Sequence, residues 1–387
     1  MSIFKEDIEE AKNRLKLWWD HETLDRPCIS YVFPKEGQEI PDTDVILEYF
    51  DPFHVAEFWD DVEGAIDIFE DVSKIFHFGA ENIPGFFPNY GPGIMGAVFG
   101  ITPEYKSRTV WISKETSVKE ILPILENTKI NMNNPWYERL VKAAEMSAKR
   151  AGNDYCVAVQ DLGGILDILS SFLGPTKLIL TMKRNPELID TCRSILLEKW
   201  MKVYNDLQKI IGRYSDGYSS WMNIWCHKPW FPIQCDFGAF LSPEWYRRFV
   251  LPDIITQADQ MDYAIYHLDG PDALIHLDDI VKIDSIDGVQ WVPGAGNELK
   301  CSDHWLPVYR KIQEHGKNAV IDFFELPERL AHFYKVLDPN KLFTTVIFMD
   351  HLRAKFFTPK FVGGEGGEGI FRKFKRSYRR RAREQKE

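Results

Sequence analysis

His267 and Asp269 stand two positions apart in Tyr266-His267-Leu268-Asp269-Gly270. On an extended strand such residues face the same way, so an imidazole and a carboxylate would be presented together. That pair could hold a divalent metal or form a hydrogen-bonded acid–base couple. A strand-end histidine that bonds its neighbour and caps the next helix has the same spacing. Gly270-Pro271 breaks the strand at once and opens room for a ligand.

Cys235 and Asp236 form a second candidate. Adjacent strand residues point to opposite faces, so without a bulge only one of the two enters the site. Cys235 is either a thiolate ligand beside His267 and Asp269 or a small buried hydrophobe. Asp236, once buried, needs a partner or a role. Further polar side chains fall where strands are expected to end. They are Asn89 and Tyr90, Gln160 and Asp161, Gln290 and Trp291, and Asp322. Together they are the expected substrate or cofactor pocket, with Asp236, His267 and Asp269 as the catalytic set. Trp221, Trp225 and Trp230 either line that pocket for a flat ligand or fill space between layers.

These residues need elements that bring strand ends together. Short β-branched or aromatic runs alternate with longer helix-period segments, the pattern of a parallel sheet with crossover helices. Strands are expected at Cys28–Phe33, Ile75–Gly79, Tyr155–Gln160, within Ser220–Asp236, and at Tyr263–His267, Asp287–Val292, Ala319–Phe323 and Leu342–Phe348. The main helices expected between them are 134–151, 164–173, 186–211, 243–261, 273–281, 304–315 and 327–337. A hairpin is expected through Arg108–Ile112, and a long functional loop from Glu81 to Gly100. This series fits an α/β fold of the (β/α)8 TIM-barrel type, whose reactive residues gather at the carboxyl ends of the strands. The expected division is an N-terminal helix in 1–20, a barrel in 21–350, and a tail in 351–387.

Composition narrows the function. With 387 residues and a net charge of −11, the chain can bury a large core and does not have the balance of a nucleic-acid binder. No apolar run approaches the roughly 20 residues of a membrane span, and residues 1–16 lack an apolar signal core. The 6 cysteines are scattered without a CxxC pair, which reads as reduced thiols and a cytoplasmic location. The tail differs from the rest. Gly363-Gly364-Glu365-Gly366-Gly367-Glu368-Gly369 precedes a basic run from Arg372 to Lys386, read as a solvated, disordered end rather than an arm for an acidic partner. No Gly-rich nucleotide motif opens any helix.

Three stretches together resemble the uroporphyrinogen decarboxylase superfamily, which includes cobalamin-dependent methyltransferases. They are Ile233-Gln234-Cys235-Asp236-Phe237-Gly238 through Phe249-Val250-Leu251-Pro252, Tyr266-His267-Leu268-Asp269-Gly270 through Gln290-Trp291-Val292-Pro293-Gly294, and Gly163-Gly164-Ile165 through Pro186-Glu187-Leu188. The resemblance spans roughly residues 20 to 350 and implies the same (β/α)8 barrel.

In the thiol-activating methyltransferases of that family, zinc sits on a His-x-Cys at a strand end and a second Cys near the last strand. Here His267 matches the histidine, Asp269 replaces the cysteine, and Phe348-Met349-Asp350 carries no thiol. The decarboxylases bind a tetrapyrrole through N-terminal arginines, an arrangement that Arg26-Pro27 matches only in part. The resemblance therefore implies a corrinoid-dependent methyltransferase moving a methyl group between a small molecule or thiol and a corrinoid (cobalamin), with zinc as the possible metal and a corrinoid protein as the possible partner. A cofactor-free decarboxylase of a carboxylated substrate and a non-catalytic corrinoid- or tetrapyrrole-binding protein are the alternatives.

Overall fold

Strand-forming runs in this chain are buried on both faces, and this restricts what they can build. Every residue of β1 (Cys28–Pro34) and of β7 (Trp230–Gln234) is buried. Strands of that kind need cover on both sides, which parallel sheets obtain from crossover helices. The computed structural model describes residues 2–38, 61–106, 109–348 and 354. Among them the fold is mixed α/β, with a largely parallel central sheet and many helices.

The remaining strands are β2 (Phe76–Ala80), β3 (Gly85–Phe86), β4 (Glu104–Lys106), β5 (Thr109–Trp111), β6 (Cys156–Val157), β8 (Tyr263–Asp269), β9 (Gly288–Val292), β10 (Asn318–Ile321) and β11 (Leu342–Ile347). The main sheet runs β2-β1-β11-β10-β9-β8-β7, so the first strand lies beside the last. All its pairings are parallel except β1 with β2. β3 and β6 pair in parallel on their own, and β4 with β5 makes a small hairpin.

The backbone ladder does not run on from β7 to β6, nor from β1 to β3. Pro232 lies inside β7, and a proline has no N–H for a ladder, so its strand suits an edge. A single parallel bridge, Ala158 to Ser219, continues from β6 toward that edge. At the other end β2 turns back along β1, with Ser30 opposite Ala80. A closed ring of backbone hydrogen bonds, the expectation for a (β/α)8 barrel, is thus not present among the described residues.

Several element expectations are corrected in the same places. The run at Ile75–Gly79 does form a strand, but it is antiparallel to β1 rather than a parallel member of the series. The long loop from Glu81 to Gly100 contains β3 and a short helix, Met95–Val98. Within Ser220–Asp236 only Trp230–Gln234 is strand. The single helix expected over 243–261 is two, Pro243–Phe249 and Leu251–Asp259. Prolines stand at the first turn of Pro135–Ala151, Pro186–Ile211 and Pro243–Phe249, where a missing N–H and a fixed φ suit a helix start. The Gly/Glu stretch and basic run in 351–387 lie outside the described residues, as does Arg108 of the expected hairpin. Among the described residues no single helix is long and apolar enough to cross a membrane.

At the amino end of β1 a buried ion cluster locks the sheet to the first helix, Ile8–Trp19. Glu81, fully buried, accepts from Arg14 Nε at 2.7 Å and from Arg26 at 2.8 and 2.9 Å, and from the Ile29 amide at 2.9 Å. Arg26 is thereby committed to Glu81 at the opposite end of the strands from His267.

Candidate metal centre

The site is built from one row of residues crossing three strands. Gln234 of β7 pairs in register with His267 of β8, which pairs with Gln290 of β9. Residues in register across parallel neighbours point to the same face, so three polar side chains line up. The imidazole Nδ1 of His267 is 2.5 Å from Gln290 Oε1. A carbonyl oxygen only accepts, so Nδ1 donates to it, which in the neutral imidazole leaves the lone pair on Nε2. Gln234 Nε2 donates to Asp161 Oδ1 at 3.1 Å, which extends the polar row past the edge of the sheet.

Asp269 lies two residues beyond His267 and shares its face, while Leu268 between them is buried in the apolar core. Gly270 then adopts φ +81°, a left-handed conformation that favours glycine, and its N–H returns to the Val292 carbonyl at 2.9 Å. Asp236 approaches from the end of β7. One ligand atom from each of Asp236, His267 and Asp269 lies within 4.8 Å of the other two. The arrangement offers one imidazole and two carboxylates, a donor set that suits zinc and other divalent cations of borderline to hard character.

What holds Asp236 in place is Asp167, a residue not singled out from the sequence. Its carboxylate accepts from the Asp236 amide at 3.1 Å and from the Phe237 amide at 2.7 Å. Asp167 sits in the first turn of the helix Ile165–Leu173, whose start presses on the end of β7. A Cβ at Gly164 would lie 2.4 Å from the Gln234 carbonyl oxygen, so only glycine permits that approach. The Gly163-Gly164 pair was the signal in the sequence, yet its meaning depends on which strand end it meets.

The acids of this region are crowded. Loss of water, then the Asp236 charge, pushes the Asp167 carboxyl up to about 7, against three backbone N–H groups that lower it. Asp161 is pushed up to about 6 by burial, with the Gly163 amide and His267 opposing. Asp236 is raised by desolvation and by nearby Asp269 and Asp161, with His267 pulling it down. Such a cluster favours either protons or a cation.

The other expected site residues fall into different surroundings. Cys235 stands outside the converging trio, and burial with the Asp167 and Asp236 charges drives its thiol well above the ordinary range. Trp291 faces away from Gln290, fully buried and edge-on to Trp305 at 5.0 Å. Gln160 is buried, with its side-chain oxygen on the Tyr90 amide at 3.3 Å, and Tyr90 is itself in the core. Asn89 folds back onto the Gly91 amide at 2.8 Å. Asp322 is held by Lys300 at 2.9 Å. Of the three tryptophans, Trp221 meets His267 edge-on at 6.1 Å, while Trp225 and Trp230 fill space around Trp19 at the amino end.

Beside Asp236 and Asp167 lies a cleft of ≈ 900 Å³, walled by the hairpin strand β5, the helices Ile165–Leu173 and Pro175–Arg184, and the turn Asp236–Phe240.

No protein-family model matches the sequence, and no curated protein matches it. Eight chains of solved structures do match in fold. One is a methyltransferase from Methanosarcina mazei, with a TM-score of 0.55 and 10% sequence identity over 88% of this chain and 93% of that one. At that identity the likeness is one of fold, and the fold is shared with a methyltransferase over nearly the whole of both chains.

Proposed function

We propose that this chain is a methyltransferase of the corrinoid-dependent kind, built as an opened (β/α)8 barrel and holding a divalent cation on Asp236, His267 and Asp269. The observation that carries the reading is the convergence of those three ligand atoms at the carboxyl ends of β7 and β8, where barrel enzymes keep their chemistry. The fold likeness to a methyltransferase, the order in which β11 returns beside β1, and the sequence stretches around Cys235-Asp236 and His267-Leu268-Asp269 support it.

A zinc ion bound there would supply Lewis acidity to the heteroatom that gives or takes the methyl group. The protein's own residues do the rest. Gln290 fixes the imidazole tautomer and its orientation. Asp167 secures the backbone that carries Asp236. Asp161, through Gln234, braces the edge strand next to His267. Substrate enters by the cleft that Asp236 borders, and a partner protein would present the corrinoid at the same face.

Metal analysis of the purified chain, together with the absorption of added methylcobamide, tests this directly. Expected are one zinc per chain, lost in His267→Ala, and a spectral change when a thiol or methylated substrate is added. A chain that binds no divalent cation and leaves methylcobamide unchanged across a range of acceptors refutes the reading. Release of CO2 from a carboxylated substrate would replace it with the lyase alternative.

A further inference from the structure

The amino ends of β7 and β8, at the far end of the strands from Asp236 and His267, frame a second concavity. Its ≈ 280 Å³ is lined by Tyr204, Gln208 and Lys209 of the helix Pro186–Ile211, by Tyr218, by Pro229 just before β7 and by Asp262 just before β8. That volume suits a small ligand or the end of a longer one. Two of the lining side chains are polar and buried, with Tyr204 1% and Gln208 4% exposed. The Tyr204 hydroxyl and Gln208 Oε1 have no hydrogen-bond partner among the described residues. A buried polar atom left without a partner costs free energy, and here two of them border one cavity.

Gln208 decides what kind of ligand would satisfy them. Its Nε2 donates to the Trp230 carbonyl at 3.0 Å, and a flipped amide would set two oxygens against each other. Oε1 is therefore held as an acceptor, which only a donor can satisfy. Burial pushes the Tyr204 hydroxyl up out of its ordinary range, with the neighbouring Gln208 opposing and Asp262 adding to the rise. Burial and then Asp262 act in the same way on Tyr218. The charge common to both phenols is thus that of one carboxylate. Among the described residues no hydrogen bond or ion pair engages that carboxylate, and Lys209, exposed on the same lining, makes no ion pair with it.

We infer that this crevice binds a primary alkylammonium group, whose three N–H donors meet Gln208 Oε1, the Tyr204 hydroxyl and the Asp262 carboxylate. Such acceptors suit an ammonium better than an anion, or than a quaternary cation, which has no N–H to give. The crevice shares no residue with the metal trio, so its ligand does not depend on a bound metal.

Ligand-observed NMR of the full-length chain with ethylammonium, tetramethylammonium and acetate tests the inference. Ethylammonium is expected to bind about tenfold or more tighter than either other ion, the worth of one charge-assisted contact. Asp262→Asn should weaken ethylammonium by a similar factor, and Tyr204→Phe should weaken it by a smaller one. Asp262 is exposed and Tyr204→Phe retains the buried ring, so both variants keep the fold. His267→Ala should leave ethylammonium binding unchanged. No ethylammonium binding (a crevice filled by solvent alone), equal binding of tetramethylammonium, or indifference to both Asp262→Asn and Tyr204→Phe would overturn the inference. Binding that His267→Ala abolishes and Asp262→Asn spares would also overturn it, by moving the ammonium to the acids at the carboxyl ends of the strands.

Discussion

A histidine is a dependable metal ligand only when its second nitrogen has been dealt with. Gln290 does this for His267, because its carbonyl oxygen leaves Nδ1 no choice but to donate. Gln290→Leu should therefore weaken zinc binding by about ten- to a hundredfold, the usual cost of losing such an outer contact. Gln290→Glu, which keeps an acceptor, should bind zinc at least as well as Gln290→Ala and Gln290→Leu. Competition with a chromophoric chelator measures both, and a leucine variant that binds as tightly as the parent would contradict the assignment. That His267 and Asp269 share a face was readable from spacing alone, since period-two alternation is a local property. Asp167 and Gln234 were not. Their roles arise from a backbone approach at Gly164 and a cross-strand register, neither of which is written in neighbouring residues.

At the scale of elements, the same alternation that puts Gln290 into the site takes Trp291 out of it. Trp291 pairs in register with Leu268, and both sit in the apolar layer beneath the helices. Its truncation is a packing change: Trp291→Ala should cost about 3–5 kcal/mol in urea unfolding, with zinc affinity of the folded chain preserved. A loss of zinc binding without a loss of stability would return Trp291 to the site. The buried Glu81 makes a parallel case at the other end of β1. Glu81→Ala leaves Arg26 without its buried counter-charge and Arg14 with only the exposed Asp25, and should cost about 3–5 kcal/mol by the same measurement. The apolar runs of β1, β8, β9, β10 and β11 made those strands legible. Two-residue strands such as β3 carry no periodicity to detect, and strand direction, as in β2, is decided by the partner rather than the run.

For the whole molecule, the crowded acids tie stability to pH and to metal in opposite senses. The folded values of Asp161, about 6, and Asp167, about 7, lie above those of the same groups in the unfolded chain. Between roughly pH 4 and pH 7 the folded state therefore holds more protons than the unfolded one. Their contribution to stability is complete below the unfolded values and is lost as pH rises through the folded ones. Metal-free protein should accordingly lose stability from pH 4 to pH 7 on account of these groups. The net charge of −11 at pH 7 adds self-repulsion in the same direction, so the comparison must be made against a variant. Asp167→Asn should flatten the metal-free profile, because an amide has no proton to lose, although its single oxygen keeps only one of the two backbone bonds that the carboxylate accepts. Zinc acts the other way. It competes with protons for Asp236, whose carboxyl desolvation raises above its ordinary range, so its stabilisation should grow as pH rises. At a hundredfold excess over its dissociation constant it is worth about 2.7 kcal/mol. Thermal unfolding with zinc and with chelator, at pH 5 and pH 8, for the parent and for Asp167→Asn, separates the two effects. If the metal-free parent gained stability steadily between those pH values relative to Asp167→Asn, the acids around His267 would not be the proton-holding, cation-receptive cluster that their burial implies.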